Sequence, residues 1–242
     1  MKVPKTQIDI DFDFRQEVGG RDPDAYSPTL KKYHQILWSK PLPNGEILQV
    51  SEKQSRYLVG VTGGKSIDLS SDSIINSLSK RLKNNSQTKH LYSECHSVIE
   101  QVQKVGSTIG GFLLFPRKQV DGKLTINAAR GFNRKIMDRF DLTLECIRRH
   151  YLNLESPLRN DLERYSNFFD LFTNFRGYVQ FFLLDDLVDN DYSKINFFDS
   201  SFKILEDSPL PQDEISYINY AQNTLKFATS RNERIKKVKA SM

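Results

Sequence analysis

"GGRDPDAYSP", residues 19–28, gathers Arg21, Asp22, Asp24 and Tyr26 into one turn-rich stretch. Asp-Pro opens turns because proline fixes φ and the aspartate bonds its own backbone. A carboxylate on a loop just beyond a strand end is also where α/β proteins place general bases. Asp22 and Asp24 are therefore the candidate catalytic carboxylates, and Tyr26 or Trp38 would supply a surface on which a planar ring stacks. A second stretch, "TINAARGFNRKIMDRFDLTLECIRRHY" at 125–151, sets Asn127, Arg130, Asn133 and Arg134 around Gly131. Amide and guanidinium groups donate to phosphate oxygens and base edges. The N-terminus of a following helix adds unpaired N–H groups and a dipole that favour an anion. The candidate base- and phosphate-binding set is thus Tyr26, Trp38, Asn127, Arg130, Asn133 and Arg134. Further into that helix, Asp138, Asp141 and Glu145 lie near Arg139, Arg148 and Arg149, where spacings of three and four give ordinary intrahelical pairs.

Two other patterns fall away. "VTGGKS" at 61–66 lacks the glycine that a phosphate loop needs five residues before its Gly-Lys pair, since Val59 stands there. No helix is expected at Ser66, so this is a turn between strands. Cys146 with His150, and Cys95 with His96, lack the short CxxC spacing of zinc sites and read as core cysteines beside ordinary histidines. No metal ligand set and no cofactor motif is predicted.

The elements that must position these residues belong to a globular chain of 242 residues, 38% hydrophobic and 27% charged. That length buries enough apolar surface to fold without a metal or disulfides. The N-terminus carries charges and no apolar h-region, and no apolar run approaches 18 residues. The expectation is a soluble, cytoplasmic protein with no membrane partner. Net charge is +5, unevenly spread. From Arg117 to Arg149 nine basic residues face four acidic ones, a local +5, and from Lys226 to Lys239 six face one, again +5. From Asn153 to Glu214 five face thirteen, or −8. Such asymmetry suits a polyanionic partner.

"IDIDFDF" alternates like a half-buried strand from Ile8 to Phe14. Ser27 and Pro28 open a helix whose buried stripe is Leu30, Tyr33, Ile36, Leu37 and Trp38. "EILQV" and "RYLVGV" are strands, and "LSSDSIINSLSKRL" has a Ser/Asp start and a helical period through Ile74, Ile75, Leu78 and Leu82. "KNNSQTK" is a loop, "HLYSECHSVIEQVQKV" a helix, and "STIGGFLLFP" a central strand covered on both faces. The helix after it runs from about Asn133 to Leu152 on an apolar stripe of Ile136, Phe140, Leu144, Ile147 and Tyr151. "NDLERYSNFFDLF" and "YVQFFLLDDLV" are two more helices, with Gly177 as a cap or hinge between them. A final helix ends in a basic segment, 228–242, that frays. The predicted fold is α/β in the α+β sense: a single mixed domain over 1–242, mostly helical around a small central sheet.

"GGRDPDAY" resembles the Gly-x-Asp-Pro-Tyr loop of uracil-DNA glycosylases at Gly20, Asp22 and Pro23, although the tyrosine arrives late, at Tyr26. The later His-Pro-Ser-Pro-Leu loop of that family is met only by "ESPL" at 155–158, without the histidine. More of the chain, through "DPDAYSPTLKKYHQILWSKPLPNG", "TINAARGFNRKIMDRFDLTLECIRRHY" and "FFDLFTNFRGYVQFFLLDDLV", resembles a family of uncharacterised bacterial proteins, associated with phage-defence DNA glycosylases. That resemblance implies a metal-independent, monofunctional DNA N-glycosylase with phage or modified DNA as partner. Such an enzyme extrudes a nucleotide, stacks its base and reads its edge. Here Asp22 or Asp24 would be the carboxylate, Asn127 and Asn133 would read the base, and Arg130, Arg134 and the terminal lysines would hold phosphates. The alternative is a non-catalytic nucleic-acid- or nucleotide-binding protein of a defence or toxin system. An enzyme requires Asp22, Asp24, Asn127 and Arg130 to converge in one cleft, whereas a binding protein could scatter them over a basic face.

Overall fold

Asp9 and Asp13 decide the conformation of the N-terminal segment. The Asp13 carboxylate accepts the N–H groups of Arg15 (2.9 Å) and Gln16 (3.1 Å), capping α1 (Phe14–Glu17). Asp9 accepts the N–H of Asp11 at 3.0 Å. Asp9 and Asp13 of "IDIDFDF" thus bond the nearby backbone, and the strand predicted there is absent. Ile8, Ile10 and Phe14 still reach the core. Asp22 then caps α2 (Pro23–Tyr26) and Ser27 caps α3 (Pro28–Trp38), each with proline at the first helical position.

The computed structural model describes residues 8–53, 57–75, 83–84, 86, 88–199 and 209–238. Its sheet runs β1 (Lys40–Pro41), β2 (Ile47–Lys53), β3 (Tyr57–Thr62), β4 (Lys65–Ser73) and β5 (Phe112–Pro116), in that order and antiparallel throughout. Gly63 and Gly64, at φ of 51° and 75°, make the turn between β3 and β4, so "VTGGKS" joins two strands as its sequence suggested. The "LSSDS" segment does not open a helix. Ser70, Ser71 and Asp72 pair with Phe115, Leu114 and Leu113 of β5. A ladder against an apolar partner strand overrides the local capping preference of Ser and Asp. Ile74 and Ile75 are buried just beyond the strand, while Leu78 and Leu82 lie outside the described residues, as does part of "KNNSQTK".

β5 is buried along its whole length but ends the sheet rather than lying at its centre. The Arg231 guanidinium covers its outer edge, donating to the carbonyls of Gly110 (2.9 Å) and Phe112 (2.7 Å). Helices complete the packing: α4 (Lys89–Glu94) and α5 (His96–Gly106), broken at Cys95, then α6 (Ile126–Phe132) and α7 (Phe140–Tyr151). The helix predicted from Asn133 therefore begins at Phe140. Asn133 accepts the N–H of Lys135 through its side chain, and Met137 and Asp138 turn the chain at φ of 45° and 67°. Two predicted helices prove to be shorter pieces, α8 (Arg159–Glu163), α9 (Ser166–Phe169) and α10 (Phe175–Phe181). Gly177 is neither cap nor hinge, because a Cβ there would lie 2.1 Å from the Phe172 carbonyl oxygen. α11 (Glu214–Lys237) starts on a capping box between Asp213 and Ser216. Ala228, Arg231, Asn232 and Ile235 are buried along it, so the segment predicted to fray is anchored as far as Lys237. The arrangement is α+β, with buried side chains from most of the helices and from the sheet forming one core cluster. No helix among the described residues is long and apolar enough to cross a membrane.

Candidate active site

β4 carries Ser70, Ser71 and Asp72 to a cavity of about 510 Å³, which α2 closes with Asp24 and Tyr26 and α6 with Asn127. Asp22, Lys31, Tyr57 and Arg117 complete much of its wall. Asp22 and Asp24 are not equivalent. Asp22 accepts the N–H of Asp24 at 3.1 Å and is the turn-forming residue. The single helical turn it caps lifts Asp24 against β4. Oδ1 of Asp24 is buried and has no hydrogen-bond partner, while the Ser71 hydroxyl and the Ser73 backbone N–H serve the same carboxylate.

Burial raises the pKa of Asp24 well above the usual carboxylate range, and the neighbouring Asp72 and Asp22 raise it further. Burial also raises Asp72, with Asp138 adding to it and Arg130 opposing it. Two carboxylic acids in one cavity thus resist losing both protons. Arg130 distinguishes them. Fully buried, it bonds to Asp72, to the Asp138 carbonyl (3.0 Å) and to Thr143 Oγ1 (3.3 Å). Asp72 is therefore the natural anion of the pair and Asp24 the natural acid.

Behind Asp24 runs a buried polar chain. The Trp38 indole N–H donates to His34 Nδ1 at 2.9 Å, and His34 Nε2 lies 2.9 Å from Ser71 Oγ. Burial, reinforced by the Arg231 charge, lowers the His34 pKa to about 3, so the ring is neutral. At the rim, Tyr26 is 55% exposed under the Arg21 guanidinium, which lies 4.7 Å from its ring centre. The Arg117 guanidinium lies 3.4 Å over the Tyr57 ring.

The fold brings Asp22, Asp24, Tyr26 and Asn127 together as lining of this cavity, with a buried, unpartnered Oδ1 on Asn127. Arg130 sits beneath it, ion-paired, and offers no group to a phosphate. Trp38 is wholly buried and packs against Phe181, tilted, and Phe182, edge-on, rather than facing a ligand. Asn133 and Arg134 line a different cavity with Lys135, Arg149 and Glu155. Asn133 there donates to the Pro157 carbonyl at 3.0 Å. Sequence reasoning missed Ser71 and Asp72, because "SSD" was read as a helix start. It also missed His34, although the four-residue spacing from His34 to Trp38 on one helix placed both on the buried side. Tyr57, Lys31 and Arg117 carried no local signal. Tyr57 comes from β3, Arg117 follows β5 and Lys31 reaches the cavity from α3.

The chain belongs to a family of unknown function, DUF6994, whose model matches residues 8–235. No curated protein and no solved structure matches it.

Proposed function

We propose that the chain is a hydrolase of N-glycosidic bonds in nucleic acid, a DNA N-glycosylase whose working groups are Asp24 and Asp72. The observation that carries this reading is the buried, unpartnered Oδ1 of Asp24 in a cavity shared with a second carboxylate. Environments that push two carboxyl groups apart divide acid from base at one pH. Ser71 and Ser73 serve the Asp24 carboxylate, leaving Oδ1 to carry the proton. Asp24 gives that proton to the leaving base as the C1′–N bond breaks and its electron pair stays with the base. The Asp72 carboxylate, paired with Arg130, stabilises the positive charge left on the sugar. It then accepts a proton from the attacking water, giving free base and an abasic sugar. Tyr26 and Tyr57 supply aromatic faces for an extruded base, and Asn127 Oδ1 accepts from an exocyclic amine. Arg21 and Arg117 stand at the rim as cations for flanking phosphates. The resemblance to glycosylases at Gly20, Asp22 and Pro23 would make Asp22 the carboxylate; here Asp22 caps α2 and Asp24 is the working group.

The test is incubation of the purified chain with unmodified and hypermodified phage DNA in EDTA, followed by alkali. Strand breaks that require alkali report abasic sites. DNA left intact on every substrate, but retained by the protein, would instead mark a non-catalytic binding protein.

A further inference from the structure

We propose that His34 is a positioning residue for Asp24, acting through Ser71 in a one-way hydrogen-bond chain that starts at Trp38. The proposal rests on Asp24 as the working carboxylate of the cavity.

The direction of the chain follows from what each group can donate. An indole N–H only donates, so Nδ1 of His34, 2.9 Å from it, must accept. A neutral imidazole that accepts at Nδ1 carries its proton on Nε2. That proton points along the 2.9 Å contact to Ser71 Oγ, which therefore accepts. The single hydroxyl proton of Ser71 is then left for Asp24, whose carboxylate it serves. Reversal would need either a hydrogen-bond acceptor on the indole nitrogen or an imidazole with neither nitrogen protonated. The first does not exist, and the second is an imidazolate anion, which a neutral histidine does not become in the ordinary pH range. Trp38 and His34 are wholly buried, which shields the first link from water, while Ser71 stands at the cavity wall with 6% exposure.

The functional consequence is selective. With Ser71 and the Ser73 N–H donating to the Asp24 carboxylate, its proton belongs on Oδ1, the atom left without a partner. The chain thus fixes which oxygen is the acid. Other groups set the background: Asp22 from the turn before α2, Asp72 from β4, Arg130 and Asp138 beyond it, and Lys31 and Arg117 on the cavity wall. None of them belongs to the chain, so its contribution is separable.

The test follows the Asp24 side-chain carboxyl by carbon-13 NMR through a pH titration of the full chain. The variants are Ser71→Ala, His34→Phe and His34→Gln, each checked for fold by circular dichroism. Ser71→Ala removes a donor to the ionised form and should move the Asp24 midpoint up by about one pH unit. His34→Phe should move it the same way by less. His34→Gln keeps an N–H for Ser71 and should restore most of the wild-type value. An unmoved midpoint in folded Ser71→Ala overturns the proposal, as does a response to Ser71→Ala with none to His34→Phe. Should the His34 variants fail to fold, nitrogen-15 shifts of His34 in the wild-type chain decide the matter. A neutral ring protonated on Nε2 at pH 7 supports it, and any other state refutes it. No readout uses base release, so a chain without glycosylase activity would sink the enzyme reading while leaving this result standing.

Discussion

Asp24 is where one side chain does most. Its proton affinity is raised chiefly by burial, so its ionised form is disfavoured in the folded state. A carboxyl group raised on folding favours the fold fully below the ordinary carboxylate value of about 4 and weakens it as pH climbs from there. Asp24→Asn should therefore raise the Tm at pH 8 and leave it nearly unchanged at pH 4, a contrast that thermal scans at the two values would expose. Base release should follow a bell-shaped pH profile, falling at low pH as Asp72 is protonated and at high pH as Asp24 ionises. A flat profile would break the assignment. Arg130, read from sequence as a phosphate-gripping residue, makes a different forecast. Arg130→Leu strands Asp72 and should destabilise the chain by about 3–5 kcal/mol in urea. Little specific loss of DNA affinity is expected in whatever fraction stays folded. The residue types of this site were legible in "GGRDPDAY" and "TINAARG", but their roles were not. Whether an arginine meets a ligand or a buried partner depends on what lies opposite, and Asp72 comes from a distant strand.

At the scale of the elements, capping chemistry carried furthest from the sequence. Ser27-Pro28 opened a helix where expected, and the long final helix begins on a capping box at Asp213. The same chemistry misled at "LSSDS", because its competitor is non-local: pairing with the apolar β5, 39 to 47 residues away. It misled at Asn133 too, where the side chain stabilises a turn instead of a helix start. Gly177 shows how a sequence signal can be right in importance and wrong in kind. Its missing side chain permits α10 to approach the Phe172 carbonyl. Gly177→Ala should cost roughly 1–3 kcal/mol by overpacking, measured by urea unfolding. A change within ±0.5 kcal/mol would show that α10 can shift without penalty.

For the whole molecule, the uneven charge of the chain did not translate into a single basic face built from the predicted residues. Arg130 and Arg231 are buried, Arg134 opens onto another cavity, and the aspartates gather at β4 and α2. What the fold achieves is convergence of α2, β4 and α6 on one polar cavity, backed by His34 from α3. That backing has a signature in global stability. His34 binds a proton near pH 6.5 when unfolded but only near pH 3 in the fold. Stability from this residue is complete above about pH 6.5 and declines by about 1.4 kcal/mol per unit as pH falls toward 3. Urea midpoints across that range should show the decline, and a folded His34→Gln chain should lack it. Asp24 as the acid of a glycosidic hydrolysis stands or falls on free-base release from modified phage DNA, quantified by mass spectrometry. The comparison is between the wild type and Asp24→Asn at equal DNA occupancy. The wild type should release free base, and Asp24→Asn should lose at least about 100-fold of that release with binding retained. Equal rates from the two proteins would contradict that role for Asp24.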